Sequence, residues 1–244
     1  MLAPQAKASY TRWRPLLYLL SCLHATSVLL ALGMWSRNSI LLLHGGSALL
    51  LAPVMAVANA GLIQGYYWLY SRLSVTYVAV AAPVAALLPA AAGPQLCARL
   101  LEDERSHAAL AALHRHMTAF NTACVPWHAA LVAEHPPSLP QACREVNLYI
   151  SLLLGVALPL VAATHLQAAG GRQQEAFAAH ATGQAQQGGG SGERRQLDGL
   201  PPPARPGCAS LPIQLYFASC IVWCGSSLAS LVWSPSAMGG SPRA

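Results

Sequence analysis

The chain has 244 residues, of which 55% are hydrophobic and only 9% charged. An ordinary soluble domain carries about 25% charged residues, so this composition excludes a water-soluble globule of the usual kind. The net charge of +6 is scattered along the chain rather than gathered into a basic stripe, which argues against nucleic acid as a partner.

The apolar residues fall in five blocks free of Asp, Glu, Lys and Arg, at 15–35, 39–63, 73–93, 147–167 and 211–233. Each is close to the ~20 residues that a helix needs to cross a ~30 Å hydrocarbon layer. Transmembrane β-strands would instead alternate apolar and polar over ~10 residues, and "SVTYVAVAAPVAALLPAAAG" (74–93) is continuously apolar. The expected fold class is therefore all-α. It is a polytopic integral membrane helical bundle of about five transmembrane helices plus an amphipathic loop helix, with the lipid bilayer as its first partner.

Residues 1–14 read as a cytosolic N-terminal tail, because Lys7, Arg12 and Arg14 precede the first block and the following short loop carries only Arg37. The first block is longer than the 7–15-residue apolar core of a signal peptide and reads as an uncleaved span. His24 falls near its middle. His44 falls about one and a half turns inside the second block, and hydrogen bonding to neighbouring helices is the expectation for both imidazoles. A shared haem is excluded, since at ~1.5 Å per residue the two lie about 9 Å apart in depth.

Three transmembrane helices are expected within 15–93. In the second, Ala48, Ala52, Ala56 and Ala60 recur every fourth residue and lead into Gly61 and Gly65. Small residues at this spacing let a neighbouring backbone approach closely. The row is assigned to helix packing, within the chain or against self or another membrane protein. "YYWLYSR" (66–72) and Trp13 and Trp35 read as interfacial anchors. Prolines 53, 83, 89 and 159 each remove a backbone donor inside a span, so kinks are expected.

The segment 94–146 is expected to be an amphipathic loop, helical from 95 to 120. Leu110, Leu113, Met117 and Phe120 form its buried face, with Glu102, Asp103, Glu104 and Arg105 in water. It gathers five of the nine histidines and three of the seven cysteines. Its helix shows no i, i+4 histidine pair, and the loop has no CxxC. A zinc site drawn from His114, His128 and Cys124 is the alternative to a plain interfacial helix. On the plain reading, Leu113→Asp is disruptive and His114→Ala is silent. The fourth span is expected at 147–167.

Residues 168–210 form a Gly/Gln/Pro-rich linker, expected to be disordered because it has almost no apolar anchors. The fifth span is expected at 211–233, and 234–244 is a short C-terminal tail. Cys220 and Cys224 on that span read as small buried hydrophobes. There is no GxSxG, Walker loop or GxGxxG, hence no expected catalytic residue and no expected cofactor.

The functional expectation is a non-enzymatic multi-pass membrane protein of structural, scaffolding or partner-binding type. A passive channel or uniporter for a small neutral or soft-metal solute is one alternative. A membrane redox or metal-binding protein is the other.

Overall fold

The structure, a computed structural model, describes residues 4–35, 43–71, 74–122, 130, 134, 136–168 and 210–232. Those residues build seven principal helices and no strand. They are α1 (Pro4–Trp35), α2 (Ala48–Ala58), α3 (Gly61–Ser71), α4 (Val75–Leu100), α5 (Glu104–Thr122), α6 (Leu139–Ala168) and α7 (Ser210–Val232). Residues 169–209 of the expected linker, the C-terminal tail and residues Cys124 and His128 lie outside the described residues.

Among the described residues three helices, α4, α6 and α7, are long and apolar enough to cross a membrane, and α2 with α3 forms a fourth such element when its bend is counted as one span. They carry the expected blocks 73–93, 147–167 and 211–233. The 15–35 block lies on α1, a 32-residue helix that runs through Pro15. α6 is the central element, touching α2, α3, α4, α5 and α7, while α1 packs on α3 and α4.

The second block departs from expectation. It is not one straight helix: α2 and α3 meet at 64° across Asn59 and Ala60. Ala60 takes the left-handed conformation (φ 59°), which costs a residue with a Cβ roughly 1–2 kcal/mol. Asn59 holds it there. Its Oδ1 accepts the Gly61 N–H at 2.9 Å, and its Nδ2 donates to Ser151 Oγ at 3.2 Å and Asn147 Oδ1 at 3.3 Å on α6. Pro53, by contrast, sits inside α2 without ending it.

The break also divides the small-residue row. Gly61 and Gly65 pack against α6, where a Cβ on Gly65 would stand 2.8 Å from the Leu154 carbonyl oxygen. That oxygen belongs to backbone and cannot step aside. Gly65→Ala is therefore expected to cost roughly 1–3 kcal/mol, whereas Gly225→Ala, where nothing lies within 4 Å, is expected to be neutral. Thermal unfolding of both variants in detergent checks the contrast.

Prolines free carbonyls that side chains then satisfy. Pro89 has no N–H to offer the Ala85 carbonyl one turn earlier, and Gln64 Nε2 donates to that oxygen at 2.7 Å. On α6 the turn before Pro159, Leu153–Ala157, is a π-helix. Such a bulge commonly absorbs a local fault in the ladder. Gly155 lies within it, facing the Gln64 amide so closely that a Cβ would reach 2.6 Å from its Oε1.

Two ends of the bundle are defined by cross-chain contacts. At one, Tyr77 Oη donates to the Pro15 carbonyl at 2.6 Å and His165 pairs with Gln214 at 2.7 Å. At the other, Cys97 and Cys143 form a disulfide, beside the turn at 101–103. α4 and α6 thus run antiparallel between these ends, and α7 runs antiparallel to α6. α5 starts at the disulfide end and folds back along the bundle as far as Tyr216, whose hydroxyl donates to the Phe120 carbonyl at 3.0 Å.

The boundaries of the middle segment also differ from those expected. α4 runs on to Leu100, so residues 95–100 and Pro94 belong to it rather than to the amphipathic helix. The charged "LED" (101–103) is the turn between helices, and the Asp103 side chain accepts the Arg105 N–H at 3.3 Å at the start of α5. Leu110 and Leu113 are buried as expected and Met117 is half-buried, but Phe120 is 59% exposed, with its ring edge-on to Tyr216. In the aromatic run, Tyr66 is exposed and Trp68 buried against Cys22 and Val78. Trp68 is therefore a core residue, not an interfacial anchor.

Candidate functional site

α6 begins at Leu139, eight residues before the apolar block, because Ser138 and Pro140 provide a helix start. Residues Ala142, Cys143, Val146, Tyr149 and Ile150 then form a buried face. Glu145 shares it by helical spacing. A carboxyl group is thereby carried into the protein interior, at 3% exposure.

Three elements converge on that carboxyl. From α5, His114 Nε2 lies 2.7 Å from Glu145 Oε2. From α7, Ser230 Oγ donates to Oε1 at 2.6 Å. Gln141, one turn back on α6, donates to Oε1 at 3.4 Å. The His114 ring leans against Trp223 with centroids 5.3 Å apart, and Trp223 meets Tyr149 edge-on at 5.1 Å. The polar line continues from Tyr149 Oη to Ser219 Oγ at 2.7 Å, and from Ser219 to Asn121 Oδ1 at 2.8 Å. This seam ties α5, α6 and α7 together.

His114 was expected to be a solvent-facing residue whose loss is silent. At 5% exposure and paired with Glu145 it is an interior residue, so that expectation is corrected. The other members of the proposed zinc set, Cys124 and His128, lie outside the described residues. Among the described residues no group of three or more His, Cys, Asp and Glu side chains could hold a metal ion.

The seam is not a hydrolytic triad either. In a triad the imidazole stands between hydroxyl and carboxyl, so that it can take the hydroxyl proton. Here the carboxyl stands in the middle, and Ser230 donates to Glu145 with no imidazole to activate it.

A second polar group lies deeper. Asn59, Asn147 and Ser151 bond one another between the α2–α3 break and α6, and Asn147 Nδ2 reaches the Pro89 carbonyl at 3.4 Å. Gly93 makes this approach feasible, since a Cβ there would stand 2.6 Å from Asn147 Nδ2. Gln64 lies further along, with Thr26 Oγ1 accepting from its Nε2 at 3.4 Å. The Gln64 Oε1 is buried and has no hydrogen-bond partner among the described residues.

The two expected intramembrane histidines part company. His44 is not within a helix: it sits in a 3₁₀ turn ahead of α2, buried. Its Nδ1 accepts the Gly46 N–H at 2.7 Å, so Nε2 carries the proton it shares with Ser106 Oγ at 2.9 Å. His24 is inside α1 as expected, but its side chain is exposed, and no hydrogen bond reaches it from another described residue.

Two cavities approach the bundle from opposite ends. One of about 400 Å³ lies by the disulfide end, bounded by Gly93, Pro94, Arg144, Asn147 and Ser230. The other, about 530 Å³, lies at the opposite end between Trp68, Ser74, Pro159 and Gln167.

Neither Glu145 nor the disulfide was foreseen. A signal for Glu145 existed in the i, i+3, i+4 pattern through 142–150, which places it among buried residues despite its charge. For the disulfide, the sequence offered Cys97, Cys124 and Cys143 without a pairing. No protein-family model, no curated protein and no solved structure matches this chain.

Proposed function

We propose that the chain is an integral membrane protein of about five spans that works without catalysis, by packing against and binding partners within the bilayer. The observation that carries this reading is how the buried polar side chains are used. His114 and Ser230 each bond Glu145, Asn59, Asn147 and Ser151 bond one another, and His44 bonds Ser106. Such groups fix helices against one another, and among the described residues they leave no nucleophile–base pair exposed to a substrate.

Orientation follows from two independent features. The basic N-terminal tail favours the cytosolic side for the end that holds Pro15 and Tyr77. The opposite end then faces an oxidising compartment, where the Cys97–Cys143 disulfide is chemically at home.

The reading predicts that the chain resists extraction with alkaline carbonate. It also predicts that the purified protein in sealed vesicles passes glycerol or urea no faster than protein-free vesicles. A protein-dependent flux in stopped-flow light scattering would sink it.

The passive channel or uniporter is the second reading, and the two cavities favour it. About 18 Å of α6, from Asn147 to Pro159, separates their floors, and the unpartnered Gln64 Oε1 lies along that interval. A flux abolished by Gln64→Leu would establish it. The metal-binding reading predicts bound zinc in the purified protein that His114→Ala removes.

A further inference from the structure

Among the described residues the small-residue row of α2 and α3 is occupied within the chain, with Gly61 and Gly65 against α6. One of the exposed faces, on α1, also carries an imidazole. Leu17, Leu20, Ser21, His24, Ser27 and Val28 are all exposed. At 100° per residue these positions fall within an arc of about 120°, and His24 stands at its middle. The buried Cys22, Thr26 and Leu30 lie on the opposite side of the helix, so the imidazole does not share the face packed on α3 and α4. It also lies near the centre of the 15–35 apolar block, too deep for its short side chain to reach the headgroups.

We propose that this face of α1 is a parallel homodimer interface in which His24 hydrogen-bonds to a second copy of the same chain. The inference rests on the membrane reading above. In hydrocarbon an imidazole with two unbonded nitrogens is strongly disfavoured, so ionisable side chains at that depth are almost always covered and paired.

Three features select a second copy as the cover. Leu17, His24 and Ala31 repeat at intervals of seven, with Leu20 and Ser27 offset by three, which is the seam of a left-handed helix pair. Two copies in one membrane share an orientation, so a two-fold axis brings His24 opposite His24. A neutral imidazole is both donor and acceptor, and so complements itself. Ser27 does not compete for that bond, since its Oγ donates to the Leu23 carbonyl at 2.8 Å, and Ser21 keeps the helices close.

The test counts subunits of the full-length chain in lipid vesicles by single-molecule photobleaching over a range of protein-to-lipid ratios. The wild type is expected to dimerise. His24→Leu, which keeps bulk and removes the polar atoms, is expected to weaken dimerisation roughly tenfold. His24→Asn, which restores a donor and an acceptor, is expected to recover most of it. Leu87→Ala, on an exposed position of α4, is expected to change nothing.

A wild type that stays monomeric at every density, or a His24→Leu dimer as tight as wild type, overturns the proposal. Equal weakening by Leu87→Ala does so too. Stoichiometric recovery of a different membrane protein on this face, without self-association, replaces the second copy with that partner. Release of the wild type by alkaline carbonate would instead be a failure of the membrane reading itself. Thermal unfolding of the monomer controls for misfolding, because His24→Leu removes no described hydrogen bond within the chain.

Discussion

Replacing His114 with alanine is expected to lower the stability of the fold by roughly 3–5 kcal/mol, a large share of the 5–15 kcal/mol that holds a typical domain together. Glu145 is buried at 3% exposure, and His114 is its partner from α5. Without the imidazole, Oε2 loses that bond while the carboxyl stays buried, and Ser230 and Gln141 still serve only Oε1. The Trp223 ring loses a neighbour as well.

Glu145→Ala should cost a similar amount. The pair His114→Leu with Glu145→Met should cost less than either single change, because two apolar side chains leave no stranded polar atom. His116, two residues on and exposed, provides the control: its alanine variant should stay within about 0.5 kcal/mol of wild type. A double-mutant cycle read by thermal or urea unfolding in detergent decides. If His114→Ala is as mild as His116→Ala, the seam contributes no stability.

The contrast between those two histidines shows where sequence stopped being informative. Hydropathy windows located α4, α6 and α7, and helical periodicity turned Leu110 and Leu113 inward, because both depend on local pattern. Whether His114 faces water depends on Glu145, 31 residues away, and nothing within α5 records that partner. The same holds for His44, whose burial is completed by Ser106 from the start of α5.

The α2–α3 break is tertiary in a stricter sense. Alanine has no preference for the left-handed conformation, and a helix was the sensible expectation through Ala60. The Asn59 bonds to α6 and to the Gly61 N–H outweigh it. Glu145 was missed for a different reason. The apolar window was closed at the charged Arg144 and Glu145, although the Ser138–Pro140 start and the spacing through Ala142, Val146 and Tyr149 already extended the helix.

Cys97→Ser is expected to lower stability by about 4 kcal/mol. In the chain-entropy account a crosslink removes freedom from the unfolded chain in proportion to the logarithm of the loop closed, and this one spans a sequence separation of 46. The closed segment contains all of α5, so the bond holds the end of α4 against the start of α6 at a Cα separation of 5.8 Å while α5 folds back between them.

The consequence should be local as well as global. With the tie cut, the close approach of Gly93 to Asn147, one turn along each helix from the cysteines, has less to enforce it. Loss of hydrogen-exchange protection in α5 should then precede that in α7. A reducing agent should reproduce the effect in wild type and leave Cys97→Ser unchanged, since among the described residues Cys22, Cys220 and Cys224 take part in no disulfide.

If the proposed orientation holds, the end that carries this bond faces outward. In sealed right-side-out vesicles a membrane-impermeant thiol label should reach a cysteine introduced at the exposed Arg105, while one introduced at Ser74 should stay protected. Free thiols at both Cys97 and Cys143 in protein taken from its native membrane would remove the stabilisation and the topological argument together, because both rest on that end facing an oxidising space.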